Sequence, residues 1–207
     1  MTTKLRDHRF FRDPSTMHPT CVWALLELGH AFELELAERH IPRLHTELLG
    51  DDRDDSAALL TQRLDHDEAI PAKLYAPMRA AYSSWRSSSA SAVTACASYR
   101  LSLALAKAFG DAPLDGRVGA YVITQLALAD IRAYLDEILD DLDFDEPHPA
   151  RSVKELAELL EDSPFARRMF RTGAKRMTLA LWEIFDELHD LACHLEAESS
   201  QGSSAPC

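Results

Sequence analysis

The sequence predicts an all-α fold, a bundle of seven to eight helices around a buried central helix. Three observations carry that reading. Apolar residues recur at three- and four-residue spacing along most of the chain. Glycine (7) and proline (10) are few for an all-β chain of 207 residues. The segment Val118 to Ala129 is apolar on nearly every face, which suits a helix inside a bundle rather than one on its surface. The chain divides into a polar lead at residues 1–17, a single helical domain at 18–198 and a disordered tail at 199–207.

The elements follow in order. His18-Pro19-Thr20 opens a long helix whose Val22, Leu25, Leu26, Gly29, Phe32 and Leu36 share one face, ending or kinking near Pro42. The charged break at Gly50 to Asp55 precedes a short helix from Ala57 to Leu64. Pro71 stands at a first-turn position and starts a helix from Ala72 to about Trp85, with Leu74, Tyr75, Met78, Ala81, Tyr82 and Trp85 on its apolar side. The serine-rich stretch after Tyr82 runs without Gly or Pro into a helix at Val93 to Phe109, so it reads as a helix junction and not as a linker. The central helix spans Gly116 to about Leu139, and an acidic loop, Asp140 to Ala150, follows it. Two short helices, Ser152 to Glu161 and about Phe165 to Arg171, precede a last amphipathic one, Ala174 to Glu198, which turns Leu179, Trp182, Phe185, Leu188 and Ala192 inward.

Charge and cysteine usage narrow the function classes. With 34 acidic and 22 basic side chains the formal charge is −12, a field that repels a phosphate backbone, so nucleic acid is not expected as a partner. Cys21, Cys96, Cys193 and Cys207 lie far apart with no CxxC pair and no leader before them, so neither a zinc site nor a disulfide framework is indicated, and a reducing, cytoplasmic setting is expected. The longest charge-free apolar run falls short of the roughly 18 residues that a membrane span needs.

One residue stands out against this background. Arg117 follows a glycine in the first turn of the central helix, where unbonded N–H groups already concentrate positive charge and disfavour a cation by about 0.3–1 kcal/mol unless an anion sits nearby. Asp111 or Asp115 can supply that anion from the same loop, or a partner's carboxylate can.

The stretch Phe109-Gly-Asp-Ala-Pro-Leu-Asp-Gly-Arg-Val-Gly-Ala-Tyr121 resembles the first homology region of the Bcl-2 family of apoptosis regulators. Phe109, Asp111, Gly116, Arg117, Val118, Ala120 and Tyr121 match it or substitute closely without a gap. The family's second homology region falls at Leu159 to Ser163 at the usual separation, with Asp162 retained. Asp115 and Leu114 stand where the family carries tryptophan and asparagine, both tryptophans of the second region are missing, and the helix from Pro71 lacks the Leu-x-x-x-Gly-Asp signature of cellular members. These departures, and the short loop after the first helix, are similar to those of viral members.

The resemblance implies a Bcl-2-like bundle with an anti-apoptotic role. Its hydrophobic groove would receive the death helix of pro-apoptotic partners of the Bim, Bid, Bak and Bax type, inside a host cell if the protein is viral. It places Tyr75, Met78 and Tyr82 on one groove wall, Leu101, Ala104, Leu105 and Ala108 on the other, and Ala120 and Tyr121 on the floor. Gly116 and Arg117 stand at the centre, and Asp115 beside them either recruits a base on the incoming helix or competes for Arg117. The resemblance implies no enzymatic activity, cofactor or metal. The last helix carries too many charges to serve as a membrane anchor, so peripheral attachment at mitochondria is the closest membrane association expected.

Two other classes remain on the residues alone. Glu158-x-x-Glu161 and Glu183-x-x-Asp186 resemble the ExxE…ExxD magnesium site of the all-α MazG-type nucleotide pyrophosphohydrolases, although no basic cluster for phosphates is evident beside them. Glu27-x-x-His30 and Asp186-x-x-His189 have the carboxylate–histidine spacing of ferritin-like metal bundles. A third reading is an acidic helical interaction protein with another partner.

Overall fold

A computed structural model of the chain describes residues 5–49, 88–110, 112–138 and 163–202. Among these residues the protein is helical and contains no strand. The helices are α1 (Pro19–Glu35), α2 (Ile41–Leu49), α3 (Ser88–Gly110), α4 (Leu114–Ile138) and α5 (Pro164–Gly202), preceded by three short 3-10 turns between Leu5 and Met17. The helices expected at Ala57–Leu64, Ala72–Trp85 and Ser152–Glu161 lie outside the described residues, as do the acidic loop and all of the second homology region except Ser163.

Local chemistry explains where the helices begin. Before α1, His18 Nδ1 accepts the Thr20 N–H at 3.2 Å and Pro19 occupies the first turn, where its missing N–H costs nothing. Ser163 does the same for α5, its hydroxyl accepting from the N–H groups of Phe165 (3.2 Å) and Ala166 (3.3 Å) ahead of Pro164 in the first turn. Pro42 perturbs the first helix as expected, but through a wider turn rather than a stop. It has no N–H to give the carbonyl of Glu38, and the chain passes through a π-helical turn at Leu36–His40 before continuing as α2.

The expected break between Arg171 and Ala174 does not occur. α5 runs unbroken for 39 residues, about 58 Å at the standard rise, and extends past Glu198 into the stretch read as a disordered tail. Gly173, which lies between the two expected helices, is a packing device. A methyl group on it would run into the Gly116 carbonyl of α4, and one on Gly119 of α4 would run into the Phe170 carbonyl of α5. Two backbones therefore touch where no side chain fits, which outweighs the roughly 1 kcal/mol that glycine loses to alanine inside a helix.

α4 is the interior helix the sequence indicates, with Val118, Ala120, Tyr121, Val122, Ala127, Leu128, Ile131, Tyr134 and Leu135 all buried. It lies along α5, while α3 packs on α1 and α5. α1 is nearly as enclosed, since Cys21 through Leu26 are all buried, so the single apolar face read from its sequence understates it. Inside, Glu33 of α1 accepts a hydrogen bond of 2.5 Å from Arg132 of α4, a buried acid matched by a cation from a distant helix.

The segment read as a polar lead is part of the core. Phe10 is 1% exposed and meets Phe185 of α5 edge-on at 5.3 Å between ring centres, while Phe11 packs on Tyr134 of α4 at 5.1 Å. Thr16 shares a 2.6 Å hydrogen bond with the Tyr134 hydroxyl. Arg9 holds Asp186 and Asp190 of α5, and Arg6 pairs with Glu137 of α4. The charges of this arm lie outside and its aromatics inside, a division that overall polarity conceals.

Two stability measurements check these assignments. Phe10→Ala is expected to cost about 3–5 kcal/mol in denaturant unfolding, the range for emptying a phenylalanine site in a core; a loss near zero would detach the arm from the core. Gly173→Ala is expected to cost about 1–3 kcal/mol despite alanine's better helix propensity, because the two backbones must separate; stabilisation would contradict the close crossing.

Candidate functional site

Arg117 lies in the second turn of α4, its own N–H bonded to the Pro113 carbonyl at 3.0 Å. The chain here is folded so that Gly116 faces Gly173 of α5 and the arginine, one residue on, is turned towards α2. Its guanidinium forms an ion pair with Oε2 of Glu47, the two side chains being 12% and 33% exposed. A carboxylate from within the chain therefore faces Arg117 from α2, where the sequence offered Asp111, Asp115 or a partner's carboxylate. Asp115 is buried at 4% exposure, and Asp111 lies outside the described residues.

Glu47 is held from two sides. Oε2 meets Arg117 and Oε1 accepts from Arg43 Nε at 3.3 Å one turn back on α2. The hydrogen bond from Arg117 keeps the Glu47 carboxyl below the usual glutamate range, with its desolvation opposing and the charge of Arg43 adding to the effect. Arg117 Nε is buried and has no hydrogen-bond partner. The guanidinium thus retains a donor that Glu47 does not use, a costly arrangement unless another acceptor can reach it.

The apolar residues expected to line a groove are placed differently. Leu101, Leu105, Ala120 and Tyr121 are 0% exposed and Ala108 is 5% exposed, while Ala104 is partly buried against the same core. They belong to the core, where α3 packs on α1 and α5 and α4 lies along α5. Tyr75, Met78 and Tyr82 lie outside the described residues.

Two residues of the alternative metal sites are engaged by the N-terminal arm. Asp186 binds Arg9 at 2.8 Å and lies 3.3 Å from His8 Nε2, while His189 meets Asp13 of the N-terminal arm at 2.9 Å. Glu158 and Glu161 lie outside the described residues. A basic cluster does exist, contrary to the sequence reading. Arg167, Arg168, Arg171, Lys175 and Arg176 line one cleft along the first half of α5, collected there by helical spacing. One set of mixed donors also converges, Asp13, His189 and Cys193, although no local motif in the sequence links them.

His40, in the π turn beside α2, stacks on Phe109 at 4.8 Å, and burial lowers its pKa from the ordinary 6.5. Its folded pKa is the lower one, so as pH falls below 6.5 the unfolded chain takes up the proton first and stability declines. Glu47 acts in the same sense further down: its stabilisation is present above 4.5 and is lost as pH falls through its depressed folded value. Chemical denaturation across this range should therefore show wild-type stability decreasing in both windows, with Glu47→Gln removing the lower step. Near neutral pH that variant should be about 1–3 kcal/mol less stable, the cost of weakening a partly buried charged hydrogen bond. An unchanged lower step would show that Glu47 does not bear on Arg117.

Comparison with protein-family models, curated proteins and solved structures gives no match to this chain.

Proposed function

We propose that the chain is a non-enzymatic, Bcl-2-like helical bundle that binds an amphipathic helix of a partner protein at Arg117. The observation that carries this reading is the arrangement of α2 itself. Ile41 and Leu44, one turn apart, are 2% and 1% exposed and face the core, and Glu47, one turn further, delivers its carboxylate to Arg117. Apolar anchors followed by an acid on one helical face are the pattern by which helix-in-groove partners are recognised. In this reading α2 is the resident occupant, and a partner helix carrying an aspartate takes its place.

Several features fit such an exchange. α2 is a short helix joined to α1 through a π turn, so fewer contacts hold it than hold α4 or α5. Arg117 Nε offers a second N–H donor, to which an incoming carboxylate can bind as a bidentate acceptor. The residues matching the family's first homology region place the Gly-Arg pair at the head of the buried helix, as the resemblance expects. The partners it implies are pro-apoptotic death helices of the Bim, Bid, Bak and Bax type, met in the host cytoplasm, and an anti-apoptotic role follows from their capture. No helix among the described residues is long and apolar enough to cross a membrane.

Fluorescence-polarisation titration of a panel of labelled death-helix peptides tests the reading. Wild type is expected to bind at least one of them, and Glu47→Gln more tightly because the resident carboxylate has lost its charge. Arg117→Ala should weaken binding by about 2–5 kcal/mol, the usual loss when one member of a desolvated charge pair is removed. Absence of binding to both wild type and Glu47→Gln at concentrations of about 50 µM, an affinity near 6 kcal/mol, would overturn it.

A further inference from the structure

We infer that Asp13, His189 and Cys193 form a binding site for a zinc-like divalent transition metal, which joins the N-terminal arm to the second half of α5. Their ligand atoms lie within 4.8 Å of one another although Asp13 is 176 positions from His189 in the chain. His189 and Cys193 are one helical turn apart on α5, a spacing that puts both side chains on the same face. Asp13 caps the last 3-10 turn of the arm and meets them from the other side.

The distances suit a single ion. Nε2 of His189 is 2.9 Å from Oδ2 of Asp13 and 4.0 Å from Sγ of Cys193. Tetrahedral bonds of about 2.0–2.3 Å to N, O and S put the ligand atoms roughly 3.3–3.8 Å apart, so three side chains whose ligand atoms lie within 4.8 Å of one another seat the metal by drawing together by up to about an ångström. One nitrogen, one carboxylate oxygen and one sulfur make a borderline-soft set, which selects zinc-like ions over magnesium or calcium. With Cys193 as thiolate and His189 neutral, the ligands carry two negative charges against the ion's two positive ones. Cys193 is exposed, so the fourth coordination position opens to solvent.

The ligands are already oriented by their neighbours. Oδ1 of Asp13 accepts the Ser15 N–H at 2.9 Å, leaving Oδ2 aimed at His189. Nδ1 of His189, the ring nitrogen away from Asp13, lies 3.7 Å from Cys193 Sγ and 3.9 Å from the Asp190 carboxylate. The Arg9 contacts to Asp186 and Asp190 set the arm's register on α5 one and two turns from Cys193. Cys21 stays outside the set. It is buried, and burial pushes its thiol up to about 11, which keeps it protonated.

The test uses the full chain with Zn2+ alone, followed by calorimetry, and with Co2+, followed by absorption. The expected result is one equivalent of bound metal, a thiolate-to-cobalt charge-transfer band and a higher Tm with zinc. Cys193→Ser changes an exposed residue and should fold; it should lose the band and bind zinc at least about tenfold more weakly, the least that even an outer-shell loss costs. Asp13→Asn keeps the cap to Ser15 and should also weaken binding, whereas Cys96→Ser should leave it unchanged. No stoichiometric binding by wild type, or wild-type binding by both Cys193→Ser and Asp13→Asn, would overturn the site.

Discussion

The backbone contact between α4 and α5 is the constraint on which the arrangement depends. At Gly119 and Gly173 the two helices approach more closely than any side chain permits, and that contact fixes the depth at which α4 is buried. With α5 pressed against one side, the remaining faces of α4 must be covered by other elements. α1 and α2 supply part of that cover, α3 contributes further contact, and the N-terminal arm reaches the Tyr134 end. The same crossing determines the direction of Arg117. Gly116 turns towards α5 and its neighbour turns away, towards the carboxylate of α2.

Charge in this acidic chain is used to connect elements that are distant in sequence. Glu33 with Arg132 joins α1 to α4, Glu47 with Arg117 joins α2 to α4, and Arg100 with Glu187 joins α3 to α5. The arm adds Arg6 to Glu137 and Arg9 to Asp186. These pairs differ in weight. Glu33 with Arg132 is buried, so removing one partner would strand a charge in the interior, whereas Arg9 and Asp186 are about half exposed and contribute mainly to register. Burial also keeps His8 below its ordinary pKa even though Asp186 stands beside it, because desolvation exceeds the attraction of a half-exposed carboxylate.

The two sites occupy opposite ends of the α4–α5 pair. Gly173, next to the Arg117 end, and His189 are separated on α5 by 16 residues, about 24 Å at the standard rise. At one end α2 is held by Ile41, Leu44 and the Glu47–Arg117 ion pair; at the other a peptide arm is held by aromatics, ion pairs and three convergent donors. Loss of α2 to a partner would therefore leave the arm's contacts intact. Loosening the arm would act first on Tyr134, Phe185 and His8, far from Arg117.

The sequence by itself determined the helical class, the interior position of the helix from Gly116 and the start at Pro19, because periodicity, all-round apolarity and capping are local properties. It also identified Arg117, since a cation near a helix N-terminus demands an acid wherever the rest of the chain lies. Tertiary structure decided which acid answered. Glu47 is 70 positions away, and only the packing of α2 on α4 brings it there. Likewise the two helices expected on either side of Gly173 are one, with a second backbone against that glycine, and Leu101, Leu105 and Tyr121 are buried. The polar lead became core, and Asp13, His189 and Cys193 became one cluster, for the same reason. Local patterns fix what a segment can become, while contacts between distant segments fix which of its faces meets water.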